Sequence, residues 1–380
     1  MKIFINAHNL RFGGGKTVGF NLINYYIANP AVSEIMIVAP AGYGYERFQG
    51  VDSRTSIYFL PAIFNTSVFK IISNYVVLPL RIALSRTDFV LSLGNVAVPT
   101  LKPQFLLIHQ AYLAYPESIV WDRLRQSDRK FYRYIRNMLR LVKANLKYPT
   151  VYGVQTNTMR KRISSIYKIP KEDIHVIPNA VSFTSFKKGR AGSTAVKGHQ
   201  QIRLLFLSKY FPHKNFEILF KVGLEIVSRG LPIRISVTID EEENEGSKRF
   251  IETIKAMGLH EVIINKGNVR LEEIAAAYDE HDGLFLPTLL ESFSGSYIEA
   301  MYFSRPIFTS DMDFAREVCR DAAYYFNPLD EEDIIYCITA AYDNRTEMAR
   351  KVEAGSRIVA QSYSWEDIGR FIDTNVLKLK

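Results

Sequence analysis

Two carboxylates eight positions apart, Glu291 and Glu299, flank the small-residue turn Ser292-Phe293-Ser294-Gly295. The apolar run Gly283–Leu286 before them reads as a buried parallel strand that stops at Pro287, and a helix is expected from about Ser296. The first N–H groups of such a helix have no intrahelical partner, and its dipole adds partial positive charge, so the turn suits an anion such as phosphate. Carboxylates there would repel phosphate unless they point past it. They then become acceptors for hydroxyl groups on either side of a diphosphate, one on a sugar and one on a ribose. Taken alone, the segment equally fits a loop charge at Glu291 and a dipole-stabilising acid at Glu299.

Three further groups sit where strands are expected to end. Lys209 and Lys214 follow the strand opening at Ile202, where ammonium groups could neutralise a leaving phosphate; two solvated surface lysines are the plain alternative. His109 closes the run Phe105–Ile108, with Asn95 a weaker candidate nearby. A lone histidine is more often a structural hydrogen-bonder, but ligands gather at the C-terminal ends of parallel strands. At the first strand end, Gly13-Gly14-Gly15-Lys16-Thr17 would let a ligand approach the backbone. A P-loop is excluded because its first glycine would fall at Leu10, and the dinucleotide fingerprint because its third would fall at Val18.

The elements that must position these residues alternate between short apolar runs and helical patterns: Lys2–His8, Glu34–Pro40, Ile57–Ala62, Asp88–Gly94, Gln104–Gln110 and Val151–Thr156 in the first half, with runs from Ile202, Ile233, Val262, Gly283 and Pro306 in the second. That alternation predicts parallel sheets in an α/β fold. At 380 residues two domains are expected. The polar, small and basic stretch 186–198 has linker composition. Cys319 and Cys337 are the two cysteines, with no zinc-like spacing, so neither a disulfide framework nor a metal is suggested and a reducing cytoplasm fits. The chain opens directly as a strand, without the pattern of a leader. Val68–Leu84 is apolar but interrupted and short for a membrane span, and reads as a packed helical segment.

The net charge of +9 is concentrated. Between Trp121 and Tyr148 nine basic residues (Arg123, Arg125, Arg129, Lys130, Arg133, Arg136, Arg140, Lys143, Lys147) stand against Asp122 and Asp128, a net +7. With interleaved aromatic and aliphatic residues, residues 121–148 read as one basic helix, either an ordinary solvated surface or one facing anionic lipid. Nucleic acid is not expected, because no recognisable binding module accompanies the charge.

The Glu291-to-Glu299 spacing, with the flanks Leu286-Pro-Thr-Leu-Leu-Glu-Ser-Phe and Glu299-Ala-Met and with Arg305-Pro-Ile-Phe-Thr-Ser310, resembles the E-x7-E motif of the retaining glycosyltransferases of family 4. The likeness is good after about residue 175 and loose before it. It implies the GT-B fold, two facing Rossmann-like domains with the donor in a cleft: 1–185 with a last helix at 364–380 as the acceptor domain, and 198–363 as the nucleotide-sugar domain. It implies a metal-independent transfer from a UDP- or GDP-sugar to a glycan or polyprenyl-linked acceptor of a bacterial surface polysaccharide, by a protein in the cytoplasm or peripheral on the inner face of the membrane, without a cofactor. His109, Glu291 and Lys214 are then the catalytic candidates. Gly14, Gly15, Lys209, Gly267, Ser292, Phe293, Ser294, Gly295 and Glu299 join Lys214 at the donor. The family usually has Gly-Arg at Ser208-Lys209 and often Lys-Gly at Lys214-Asn215, which weakens the transfer to Lys209. Asp311-Met-Asp313 looks like the metal motif of the other large glycosyltransferase fold but is expected to be a turn and helix cap. A sugar phosphorylase or epimerase of the same fold, and a binding protein without activity, are the alternatives.

Overall fold

The computed structural model describes residues 1–11, 13–180 and 201–379, and these form two compact units. One contains residues 1–116, 129–180 and 363–379; the other contains residues 117–128 and 201–362. The predicted linker 186–198 lies outside the described residues.

The first unit is built on seven parallel strands: β1 (Lys2–Asn6), β2 (Glu34–Pro40), β3 (Thr55–Leu60), β4 (Phe89–Ser92), β5 (Gln104–Leu107), β6 (Val151–Val154) and β7 (Ile174–Val176). Their order is β3-β2-β1-β4-β5-β6-β7, with β1 in register with β2 from Lys2↔Glu34 and with β4 from Ile3↔Phe89. Alternate residues of β1 bury on opposite faces: Ile3 and Ile5 face the Gly13–Ala28 helix, and Phe4 faces Leu78, Ile82 and Val90. The C-terminal helix Trp365–Ile372 joins the first of these cores through Ile368 and Ile372. Asp373 anchors it by accepting hydrogen bonds from Tyr25 Oη at 2.5 Å and Asn29 Nδ2 at 2.7 Å.

The second unit has six parallel strands: β8 (Ile202–Phe206), β9 (Ile233–Val237), β10 (Ile263–Asn265), β11 (Gly283–Leu286), β12 (Ile307–Ser310) and β13 (Ala323–Phe326), in the order β10-β9-β8-β11-β12-β13. Both sheets reverse direction of growth once, between β1 and β4 and between β8 and β11. The connections diverge above those points, and ligands of open parallel sheets bind there.

Two expectations are corrected. The basic stretch 121–148 is not one helix: it breaks at Asp128 (φ −143°, ψ 77°) into Val120–Ser127 and Arg129–Asn145. The first piece packs against the turn Pro212–Lys214 and groups with the second unit, so residues 117–128 leave the domain first assigned to them. The segment 67–84 is helical, with a π turn at Ser73–Val77, but it is packed on one face only. Leu78 and Ile82 are buried, while Ile71, Val76, Leu80 and Leu84 are exposed.

Candidate functional site

The switch point of the second sheet collects the charged candidates. β11 ends at Leu286, and Pro287 starts the loop that carries Glu291 to the helix Gly295–Tyr302. The helix begins with Ser294 as N-cap, and Ser294 makes no side-chain cap bond. Its first-turn N–H groups point out of the helix without the side-chain acceptor that Ser, Thr, Asn or Asp commonly supplies. Glu299 lies one turn in and folds back over this end: a Cβ placed on Gly295 would sit 3.8 Å from Glu299 Oε1. Tyr278 Oη donates to Ser296 O at 3.0 Å and to Glu299 Oε2 at 3.4 Å. Burial pushes the Glu299 carboxyl up to about 7, only partly opposed by the tyrosine. This acid can change charge near neutrality.

Across the switch point, β8 leads to the 3-10 turn Pro212–Lys214. Lys214 Nζ is ion-paired with Glu291 Oε1, both side chains being largely buried. Such a pair carries a desolvation cost that an incoming anion can help offset.

Asn215, at the position often glycine in the family, takes the left-handed conformation (φ 63°) that glycine would supply. Its fully buried side chain adds what glycine cannot. Nδ2 donates to Pro287 O at 3.0 Å and Pro328 O at 2.8 Å, and Oδ1 accepts from Arg123 Nη1. Thr288 Oγ1 and Leu289 N close the same junction by donating to His213 O at 3.1 and 2.8 Å. Lys214 and Glu291 are therefore held by one hydrogen-bonded knot. Arg123 was counted in the basic run expected to be either a solvated surface or one facing anionic lipid; the arginine instead belongs to this knot. The departure from Lys-Gly to Lys-Asn was the available signal for Asn215, whereas nothing local in the sequence marks Arg123.

The remaining donor candidates of the second unit follow its strands β8, β10 and β11. Lys209 is exposed and engaged, donating to Glu243 Oε1 at 2.6 Å. Gly267 follows β10 with φ 74°, its N–H donating to Asn265 Oδ1 at 3.1 Å and open space on its Cβ side. Ser292 and Phe293 are half-buried in the loop after Glu291, and Ser294 is buried. The carboxylates of Asp311-Met-Asp313 are directed elsewhere. Asp311 is paired with Arg316, and Asp313 opens the helix Asp313–Cys319, its Oδ1 accepting from Phe314 N at 2.8 Å.

The first unit presents a different arrangement. Gly14 and Gly15 stand in the first turn of the helix Gly13–Ala28, which Gly13 enters at φ 61°. His109 is not poised as a charged group. Its N–H donates to Asn95 Oδ1 at 2.6 Å, its Nε2 lies 3.1 Å from Leu93 O and its Nδ1 2.7 Å from Gln155 Nε2. Only the Nε2–H tautomer satisfies both ring contacts, and burial lowers the imidazole to about 4. The chain of bonds ends on Gln155 Oε1, a buried acceptor with no hydrogen-bond partner among the described residues. Gln155 was not anticipated, because a polar residue at the end of an apolar run carries no distinctive signal.

Residues 194–358 match the family model described as glycosyl transferases group 1. The likeness is to a glycosyltransferase domain. Among curated relatives, the chain is 25% identical over 247 residues to an O-antigen chain mannosyltransferase, RfbU, of Salmonella typhimurium, covering 62% of this chain and 60% of that protein. It is 21% identical over 245 residues to an MMP alpha-(1->4)-mannosyltransferase of Mycolicibacterium hassiacum, covering 63% and 56%. The chain thus spans about 60% of the length of the curated relatives it matches. Among solved structures, the Anabaena protein HepE in complex with UDP and glucose matches over the whole of both chains, with a TM-score of 0.69 at 14% identity. Likeness at that level shows the fold, and the fold is GT-B.

Proposed function

We propose that the protein is a glycosyltransferase that moves a sugar, with retention at the anomeric carbon, from a nucleotide-sugar donor to a glycan or polyprenyl-linked acceptor in bacterial surface-polysaccharide synthesis. The observation that carries this reading is the meeting of the Lys214–Glu291 pair with an uncapped helix N-terminus at the β8/β11 switch point, inside the segment matched to glycosyl transferases group 1. The named relatives, two mannosyltransferases and a UDP-bound neighbour, support a nucleotide-sugar donor.

In this reading the donor diphosphate replaces Glu291 as the partner of Lys214 and accepts from the N–H groups at Gly295 and Ser296. Negative charge grows on the phosphate as the glycosidic bond breaks, and a fixed ammonium with fixed amide dipoles lowers that barrier. Glu291, released from the lysine, accepts from hydroxyls of the sugar, and ionised Glu299 accepts from the ribose diol. The Lys266–Asn268 bend around Gly267 would receive the base, and Lys209 would exchange Glu243 for phosphate. Positive charge comes from lysines and amides, so no divalent cation is assigned. The resemblance favours a front-face displacement in which the departing phosphate helps remove the acceptor proton. Gly14 and Gly15 are proposed to offer first-turn N–H groups to the ligand. His109, neutral and doubly bonded, orients Gln155, whose free Oε1 would take a substrate hydroxyl.

The test is transfer from a panel of UDP- and GDP-sugars by wild type and Lys214→Ala, with anomeric configuration read by NMR. Retained configuration and a turnover roughly a hundredfold to a thousandfold lower in the variant are expected; inversion, or near-normal turnover, would contradict the reading.

A further inference from the structure

Residues 53–87 and 129–171 contain no aspartate or glutamate. The fold of the first unit brings the helical parts of these two segments side by side. Lys70 Nζ lies 5.3 Å above the Tyr134 ring, Asn145 Nδ2 donates to Tyr75 Oη at 2.9 Å, and Asn74 Nδ2 reaches Asn145 Oδ1 at 3.4 Å. The π turn Ser73–Val77 directs Asn74 inward to make this link, also bonding Ala97 O at 3.2 Å.

The outward surfaces differ in kind. On segment 67–84, Ile71, Val76, Leu80 and Leu84 are 53%, 49%, 58% and 78% exposed. Aliphatic side chains so exposed and so close in sequence are not the scattered singletons of an ordinary surface. On Arg129–Asn145, Ile135, Leu139 and Val142 are buried, and every basic side chain from Arg129 to Lys143 is exposed. An aliphatic ridge thus lies beside a basic face with no acid on either segment.

We propose that this ridge and basic face dock on an anionic lipid bilayer, the ridge entering the headgroup region and the arginines and lysines lying on lipid phosphates. Charge complementarity selects this occupant. A second copy joined through the ridge would bring two basic faces together, and a nucleic acid lying on the basic face would leave the aliphatic ridge uncovered. Among the described residues no helix is long and apolar enough to cross a membrane, so the contact is interfacial. The surface belongs to 70–84 with 129–147 and excludes Arg123, which is committed to Asn215. It deepens the lipid-linked acceptor reading above but depends on none of the donor-site residues.

Flotation of the full chain with vesicles of phosphatidylcholine alone and of phosphatidylcholine mixed with phosphatidylglycerol tests it, with nucleoside-diphosphate binding measured in parallel. Wild type should float with the mixed vesicles alone, less so at high salt. Arg133→Gln/Arg136→Gln/Arg140→Gln should bind them roughly a hundredfold more weakly. Leu80→Ser/Leu84→Ser should lose the salt-resistant part, and both variants should bind nucleoside diphosphate as wild type does. Equal flotation with neutral vesicles, no flotation at low salt, or a concentration-dependent dimer that the same serine variants abolish would overturn the proposal. Loss of nucleotide binding with vesicle binding intact would count against the donor site instead.

Discussion

The two switch points share a topology and differ in what they leave unfinished. At the first, between β1 and β4, polar groups are turned on one another. Asn6 Oδ1 lies 2.6 Å from His8 Nδ1, Asn6 Nδ2 reaches Ser92 Oγ at 3.4 Å, Ser92 Oγ donates to Gln104 Oε1 at 2.8 Å, and His109 is bonded through both nitrogens. Burial lowers His8 to about 3 and His109 to about 4, so both rings are neutral across the physiological range. At the second, between β8 and β11, an ammonium, two carboxyls and an uncapped helix end are gathered, and one acid is raised to about 7. The first network, closed except at Gln155 Oε1, makes a stable floor; groups kept charged, or near the point of charging, against a desolvation cost are what a charged ligand can rearrange.

The largest effect expected from this contrast follows removal of the charge that only the second site holds. Lys214→Ala should lower turnover by roughly two to three orders of magnitude, whereas His109→Ala should cost about tenfold or less, by freeing Gln155. Because the lysine variant leaves Glu291 buried without its partner, Lys214→Ala/Glu291→Gln separates folding from chemistry: the melting temperature should recover and the turnover should not. Equal losses for the lysine and histidine variants would erase the distinction between the sites.

Next comes the knot behind Lys214. Asn215→Ala should destabilise the protein by about 1–3 kcal/mol, from two buried carbonyls left unbonded and a left-handed residue with a Cβ. Asn215→Gly should lose less, keeping the backbone shape but not the side-chain bonds. Denaturant midpoints decide this, and a glycine variant as stable as wild type would assign Asn215 no role beyond its conformation.

A pH series sharpens the contrast further. The acceptor form of Glu299 is the carboxylate, so nucleoside-diphosphate affinity should rise as pH increases through about 7 and level off above it. Glu299→Gln should flatten that rise. Stability of the ligand-free chain runs the other way. The folded state holds the Glu299 proton to a higher pH than the unfolded chain does, so this group's contribution falls as pH climbs from the usual carboxyl range to about 7. In the affinity profile an inflection near 6.5 from His109 should be absent, because burial holds that ring neutral down to about 4.

Much of this was legible in residue order. Apolar runs bounded by turn residues marked β1 to β6 and β8 to β12, because buried parallel strands need near-continuous hydrophobicity. The spacing of Glu291 and Glu299 and the place of Lys214 after β8 pointed to one site before any geometry. What stayed hidden was tertiary. β7 spans Ile174–Val176, too short for a periodic signal. The break at Asp128 has no proline or glycine to announce it, so Arg123 was counted with a surface face that its side chain does not join. Helical pattern in 67–84 says that a helix forms, not that one of its faces goes uncovered. His109 sits at a strand end as the sequence suggested, but its two ring partners, Leu93 and Gln155, come from other strand ends and show only in the folded chain.

The most direct measurement is the preference for a nucleoside diphosphate over the corresponding monophosphate, taken by calorimetry on wild type and Lys214→Ala at one pH above 7. If Lys214 exchanges Glu291 for the outer phosphate, wild type should favour the diphosphate by roughly tenfold or more, and the variant should show little preference while still binding the monophosphate. A diphosphate preference of the same size in both proteins would contradict the assignment of Lys214 to the leaving group.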